Sequence, residues 1–469
     1  MNGRVPGAVR GLRESLGRSL FATTPASGST LGRGELALVL LALLALGAVL
    51  QVFRVGPDAA LNAFWAEDGQ VMFQGALLGG FFDAVFTPYA GYLVFVPRLI
   101  GEVGNMVPLA DAPAAVSLAA AGVVALSGLA VWYAAAGLIR NSFLRGTLVV
   151  VMVLAPVASL EAVAAASYVS WYMLFASFWL LLWRPPSSRG AALAGLFILA
   201  TALSNPGVWY FLPVFALRLF AARDRRDALI LGGYAIGSAI QLPVTLASSE
   251  NTVEPVWTSD IWTAYLQRVV DGAALGESLG GEAWSSWGWP FLIALLVVFG
   301  TCVVAGLLRG TPSARYFAAI AIPTSLGMFV ISAYQRAVGF VMTWPEGADS
   351  GLGGRYAIVP ALLLVSLALV LIDQSQRPRR GPRRLPWLGI AAVVVLGVGV
   401  VTSFSIGDRA ARGEPSWDAA LVAAAATCPA EPPPTDPNPA AAVVSAPPGF
   451  VVYVPCDQLL SFSTDDAAR

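Results

Sequence analysis

Long apolar runs alternate with short polar breaks along the whole chain. Leu36–Phe53 is the first run, and others follow at 113–138, 147–161, 167–183, 190–203, 207–220, 228–247, 290–308, 316–333, 356–373 and 386–406. Runs near 20 residues match the hydrocarbon thickness of a bilayer, so the pattern predicts about eleven transmembrane helices. The break Ser204-Asn205-Pro206-Gly207 predicts a tight turn and a helical hairpin, because Pro and Gly stop one helix and let the next begin. The first run lacks a small-residue cleavage site and reads as a retained helix rather than a signal peptide. Residues 1–35 are rich in Arg, Gly and Ser and show no apolar period, which predicts a disordered cytoplasmic tail. The expected organisation is that tail, a membrane domain over 36–406 with its first outer loop at 54–112, and an extracytoplasmic tail over 407–469. The fold class is all-α and polytopic, with interfacial helices in the first outer loop and a small module in the C-terminal tail.

Charge sharpens this picture. Charged residues are 12% of the chain and hydrophobic ones 57%, against about 25% charged in soluble domains. With the N-terminus placed in the cytoplasm, 20 of the 28 arginines fall on inner segments and 23 of the 28 acids on outer ones, as the positive-inside rule asks. A further full crossing at 89–109 would reverse every later loop, so Pro88–Leu109 reads as lying along the outer interface. The formal charge of zero suggests no nucleic-acid partner. Every basic residue is Arg and His is absent, which excludes histidine bases, His-ligated metals, P-loop lysines and Schiff bases. Acid/base chemistry must come from carboxylates, or failing those from Tyr or Cys.

The outer stretch Asn62–Arg98 is too polar and too often broken by Gly and Pro to cross a bilayer. It sets Glu67 and Asp68 side by side between Trp65 and Gly69. Adjacent carboxylates repel, so one of them is a candidate for a shifted pKa and for proton transfer, unless the pair is a solvated loop feature or a helix N-terminal charge. Arg98 and Glu102 are four apart on one helix face, consistent with a local ion pair. Glu161 ends an apolar run just before Tyr168, Trp171 and Tyr172, and a carboxylate at a membrane boundary is costly unless partnered. Cys302 reads as a core residue, whereas Cys428 and Cys456 lie in an outer, oxidising tail where a disulfide would staple a small module. No residue set has convincing metal-ligand spacing, and the outer acids leave only loose binding of a divalent cation open.

This order of parts resembles the GT-C superfamily of integral-membrane glycosyltransferases. Members place an acidic pair just after the first helix, as Trp65-Ala66-Glu67-Asp68-Gly69 does here. A His-Pro-Pro-Leu-Tyr-Tyr-like segment precedes their second helix, and Thr87-Pro88-Tyr89-Ala90-Gly91-Tyr92-Leu93 looks similar. Gly354-Arg355-Tyr356 looks like the Arg-Tyr found at the start of a late helix in many members. The acid order here is Glu-Asp rather than Asp-Glu, and the family's frequent His is missing. The resemblance covers residues 36–406 as an architecture and implies an inverting transfer of a sugar from a polyprenyl-phosphate donor to a cell-envelope glycan or lipid acceptor. It implies Asp68 as the base with Glu67 assisting. Cationic residues must hold the lipid phosphate, and Arg355, Arg98 and Arg336 are the outer candidates. Trp65, Tyr89, Tyr92, Glu102, Glu161, Tyr168, Trp171, Tyr172, Asn205 and Tyr356 are candidates for the substrate pocket. Two other classes stay open: a transporter or lipid flippase, and a non-catalytic envelope scaffold. The chain shows no inverted repeat and few charges inside its apolar runs, which weakens the transporter.

Overall fold

A computed structural model describes residues 7–21, 32–222, 224–248, 257–336, 353–375, 387–406, 416–429, 439–447 and 449–466. Residues 7–19, expected in a disordered tail, form α1 (Gly7–Ser19). Its Leu16, together with Leu20 and Phe21 just beyond it, is buried. The polar residues around those few apolar ones masked the period in the sequence. The apolar runs then become α2 (Arg33–Arg54), α4 (Ala112–Ala134), α5 (Ser142–Val153), α6 (Val169–Leu182), α7 (Ser188–Ala202), α8 (Leu212–Ala221) and α9 (Arg225–Ala247). They continue as α11 (Trp289–Arg309), α12 (Pro312–Arg336), α13 (Arg355–Ser375) and α14 (Trp387–Thr402). Between them lie α3 (Phe95–Asn105) and α10 (Gly276–Trp287). Among the described residues six helices are long and apolar enough to cross a membrane, and five more apolar helices are of 10–17 residues. The molecule is an all-α polytopic membrane protein.

Burial separates the helices by role. In α13, 83% of the apolar window is buried inside the protein, against 11% in α2 and 6% in α11. Helix α13 is therefore the axis of the bundle, while α2 and α11 turn Leu and Val side chains outward, as a lipid-facing helix must. Helices α7 and α9 touch backbone to backbone: a Cβ on Gly233 would sit on the carbonyl of Gly195, the close approach that small residues permit in membranes. At the end of these helices Asp227 joins two buried arginines, Arg184 at 2.7 Å and Arg218 at 3.0 Å. Arg218 also donates to the carbonyls of Leu181 and Trp183, the orphan acceptors at the end of α6.

Two departures from the predicted elements shape the end of the bundle that carries the acid pair. The run 147–161 was expected to be helical throughout, but α5 stops at Val153 and residues 154–165 form a buried irregular loop. Pro156 cannot continue the ladder, and side chains from α2 take over the freed groups. Gln51 donates to the Val153 carbonyl and accepts from the Ala164 amide, while Arg54 donates to Ala155. Helix α3 has 11 residues, about 17 Å of helix, too short for a core of about 30 Å. It lies against α4 and the π-helical turn Asp68–Phe73.

The C-terminal tail is a module of α15 (Trp417–Ala425), the antiparallel hairpin β1 (Ala440–Ser445) and β2 (Phe450–Pro455), and α16 (Cys456–Asp466). Alternating burial along β1 matches a strand with one covered face. Cys428 and Cys456 form a disulfide that ties the end of α15 to the start of α16.

Candidate active site

The acid pair lies where the C-terminal end of α2, the loop 154–165 and the start of α13 meet, and its two carboxylates have different environments. Asp68 is 2% exposed. It accepts from the Ala166 amide (2.8 Å), the Ser167 amide (2.8 Å) and the Ser167 hydroxyl (2.7 Å). Three donors on one carboxylate make Asp68 the clamp between the π-turn and the loop before α6. Glu67 is half-buried and accepts from the Tyr168 hydroxyl at 3.0 Å. Of the pair, Glu67 is the one with lone pairs left to offer.

Tyr168 links Glu67 to Arg355. The Arg355 guanidinium lies 4.8 Å from the centre of the Tyr168 ring and 4.9 Å from that of Tyr356, both within cation–π range. Its Nη1 donates to Glu161 Oε2 at 2.7 Å, and Glu161 also accepts from the amides of Gly353 and Arg355. Glu161 is 2% exposed, and it orients the arginine at the end of the buried loop. The Arg355 side chain is 21% exposed, and its Nη2 donates to the Tyr356 hydroxyl at 3.4 Å. Trp171 packs edge-on against Tyr356 at 5.3 Å.

Tyr89 and Tyr92 pair in a two-residue hairpin, Tyr89 donating to the Tyr92 carbonyl at 2.9 Å and the reverse bond at 3.2 Å. Its central residues Ala90 and Gly91 have φ of 51° and 87°, the left-handed pair that such tight hairpins need. Burial first, and then the Glu67 carboxylate, push the Tyr89 phenol up to about 12, against the pull of Arg355 and Arg98. Tyr89 therefore stays a donor, in the field of the acid and of both arginines. The non-glycine residues with positive φ among the described ones are Ala66, Ala90 and Ala164. They precede Glu67, sit inside the tyrosine hairpin, and precede the amides that hold Asp68. Such backbone persists only where the surroundings enforce it.

Several sequence-predicted roles change. Trp65 is 3% exposed and belongs to the core. Tyr172 is fully buried, because it falls on the inner face of α6. Asn205 is 5% exposed and caps the turn before α8, accepting from Gly207 and donating to Ser170, so both ends of its amide serve the turn. Arg98 makes no ion pair with Glu102 among the described residues. Its guanidinium instead donates to the Val71 carbonyl and packs on Gly75, bracing the π-turn, and burial lowers its pKa. Glu102 is 7% exposed, and burial raises its pKa. The side chain of Arg336 lies outside the described residues. Among those described, no three carboxylate or thiol side chains are placed to hold a metal ion.

Sequence reasoning missed Ser167, whose amide and hydroxyl hold Asp68, and Arg268. Arg268 faces Glu277 at 3.8 Å beside this site, on a second π-helical turn, Tyr265–Asp271. A π-turn carries no sequence signature, although such turns are frequent at functional sites.

No family model matches the sequence, and no curated protein matches it. Among solved structures the chain is similar to the crystal structure of ArnT from Cupriavidus metallidurans in the apo state. The identity is 14%, covering 85% of this chain and 82% of that one, with a TM-score of 0.43. A likeness at this level assigns no function.

Proposed function

We propose that the protein is a membrane glycosyltransferase of the GT-C kind. It moves a sugar from a polyprenyl-phosphate donor to a cell-envelope glycan or lipid acceptor on the outer face, with its N-terminus in the cytoplasm. The observation that carries this reading is a half-buried carboxylate, Glu67, bridged through Tyr168 to a partly exposed arginine that Glu161 orients. An apolar pocket of about 430 Å³, lined by Leu12, Leu16, Tyr210, Leu217, Tyr316 and Met328, offers room for part of an isoprenoid chain between α1, α8 and α12.

In this reading Glu67 takes the proton of the acceptor hydroxyl as that oxygen attacks the anomeric carbon from the face opposite the phosphate. The bond from that carbon to the phosphate oxygen breaks, and its electron pair leaves on the polyprenyl phosphate. Arg355 stabilises the growing phosphate charge with its free N–H groups. Glu161 and the two tyrosine rings hold the guanidinium in place. Tyr89 and Tyr92, with Trp171, flank the sugar.

The test is thermal unfolding of the purified protein with and without polyprenyl phosphate. Saturating the native state at a hundredfold excess over Kd is expected to add about 2.7 kcal/mol. Arg355→Lys keeps a charge for Glu161 but loses the planar fork, so it should fold and lose most of the shift. A well-folded wild type with no shift would sink the donor class.

A further inference from the structure

We propose that the disulfide-bonded C-terminal module is a working part of the acid site and that it positions Glu67. The first contact is a backbone bond 2.6 Å long, donated by the Ala66 amide to the Ala446 carbonyl at the end of β1. Ala66 directly precedes Glu67 and has the strained φ of 48°, so the module pins the residue from which the Glu67 side chain is aimed. A second contact is at Gly69. A Cβ there would stand 2.8 Å from both Phe64 and Val452 of β2, so the strand lies directly on the π-turn. Gln74, just after that turn, accepts from the Tyr453 amide at 2.8 Å.

Helix α15 grips the same turn independently. The Trp417 ring stacks edge-on against Phe64 at 4.9 Å and Phe73 at 6.3 Å, and its Nε1 donates to the Leu109 carbonyl at 2.8 Å. Trp417 is 1% exposed. The disulfide joins these two grips, because Cys428 closes the α15 segment and Cys456 directly follows β2. Broken, it leaves the hairpin and α15 connected by chain alone, and the closure entropy that the bridge removed returns. Trp417 and Val452 are therefore positioning residues for Glu67, and the bridge makes them one brace. What Glu67 is held for rests on the sugar-transfer reading. That it is held does not.

The experiment is hydrogen exchange followed by mass spectrometry on the full-length protein in detergent, oxidised and after reduction with a phosphine, thiol release being counted. Trp417→Ala and Trp417→Phe are measured alongside. Reduction and Trp417→Ala should each speed exchange across residues 64–74 by about tenfold or more while α13 keeps its protection. Trp417→Phe, which keeps an aromatic ring against Phe64 and Phe73 but loses the Nε1 donor, should retain most of the protection. In a transfer assay the same two perturbations should lower kcat by about 10²-fold. The KM for the lipid donor should hold, since among the described residues the hydrogen-bond and ring partners of Arg355 and Glu161 lie outside the module. Unchanged exchange at 64–74 in both perturbed proteins would make the module a passenger and overturn the proposal. So would faster exchange spread evenly into α13, or a loss that falls on KM alone. An inactive wild type that still shows the local exchange response would sink the sugar-transfer reading and leave the brace standing.

Discussion

Glu67→Gln is expected to lower the rate of sugar transfer by about 10²–10⁴-fold, the usual worth of a general base, while leaving stability and donor-induced stabilisation near wild type. The substitution keeps the shape and the bond from the Tyr168 hydroxyl but removes the proton acceptor. Asp68→Asn should fail in a different way. Asp68 accepts three hydrogen bonds from a segment 98 positions further along the chain. An amide there can accept on one side only, and it sets its own N–H groups against the donors on the other. Hydrogen bonds to a charged group are worth about 1.5–3 kcal/mol each, so Asp68→Asn should lose thermal stability and loosen the loop before α6. The measurement is a pair of assays on each variant, melting temperature and kcat. If Asp68→Asn were fully stable and inactive while Glu67→Gln kept its activity, the base would be Asp68, as the family resemblance implies.

That division of labour could not be read from adjacent acids in a string of letters. The pair itself was visible, because two carboxylates between Trp65 and Gly69 in an outer loop break the surrounding apolar pattern. So were the helices, since 20-residue apolar runs report the bilayer directly. What was hidden depends on distant partners. Which acid stays open is decided by the amides of Ala166 and Ser167. Arg355 owes its orientation to Glu161, 194 positions away. Residues 154–161 read as helix because all but Ser159 and Glu161 are apolar, and the placement of Gln51 and Arg54 beneath the loop makes an irregular backbone tolerable there. The tail reads as a small module of its own because its contacts with the first loop span more than 300 positions, 308 for Trp417 with Leu109 and 379 for Tyr453 with Gln74. Local pattern carries elements, and the site is made by the long-range closures between them.

Asp271→Asn is expected to raise stability at pH 8 and to flatten its dependence on pH. Asp271 ends the second π-turn, is fully buried, and neither carboxylate oxygen has a hydrogen-bond partner among the described residues. A Cβ on Gly280 would stand 2.3 Å from its Oδ2, so the neighbouring helix closes over the carboxyl. Burial pushes this group up to about 7. An unfolded Asp titrates near 3.9, so the folded state holds its proton across the interval between the two values. Above the lower value the unfolded chain gains by releasing a proton that the folded chain cannot yet release. Stability therefore falls as pH rises from about 4 to about 7 and then levels, a loss of about 4 kcal/mol for this one group. Glu277, also pushed up to about 7 by burial and held back by Arg268, titrates in the same window. The variant should therefore keep a shallower slope rather than none. Melting temperatures in detergent at pH 5 and pH 8 decide the matter. The wild type should lose more between the two than Asp271→Asn, and the variant should be the more stable protein at pH 8. Equal losses would mean that the carboxyl ionises freely in the folded state. The closed contact with Gly280 would then have to open at neutral pH, which exchange of the α10 amides at the two pH values would reveal.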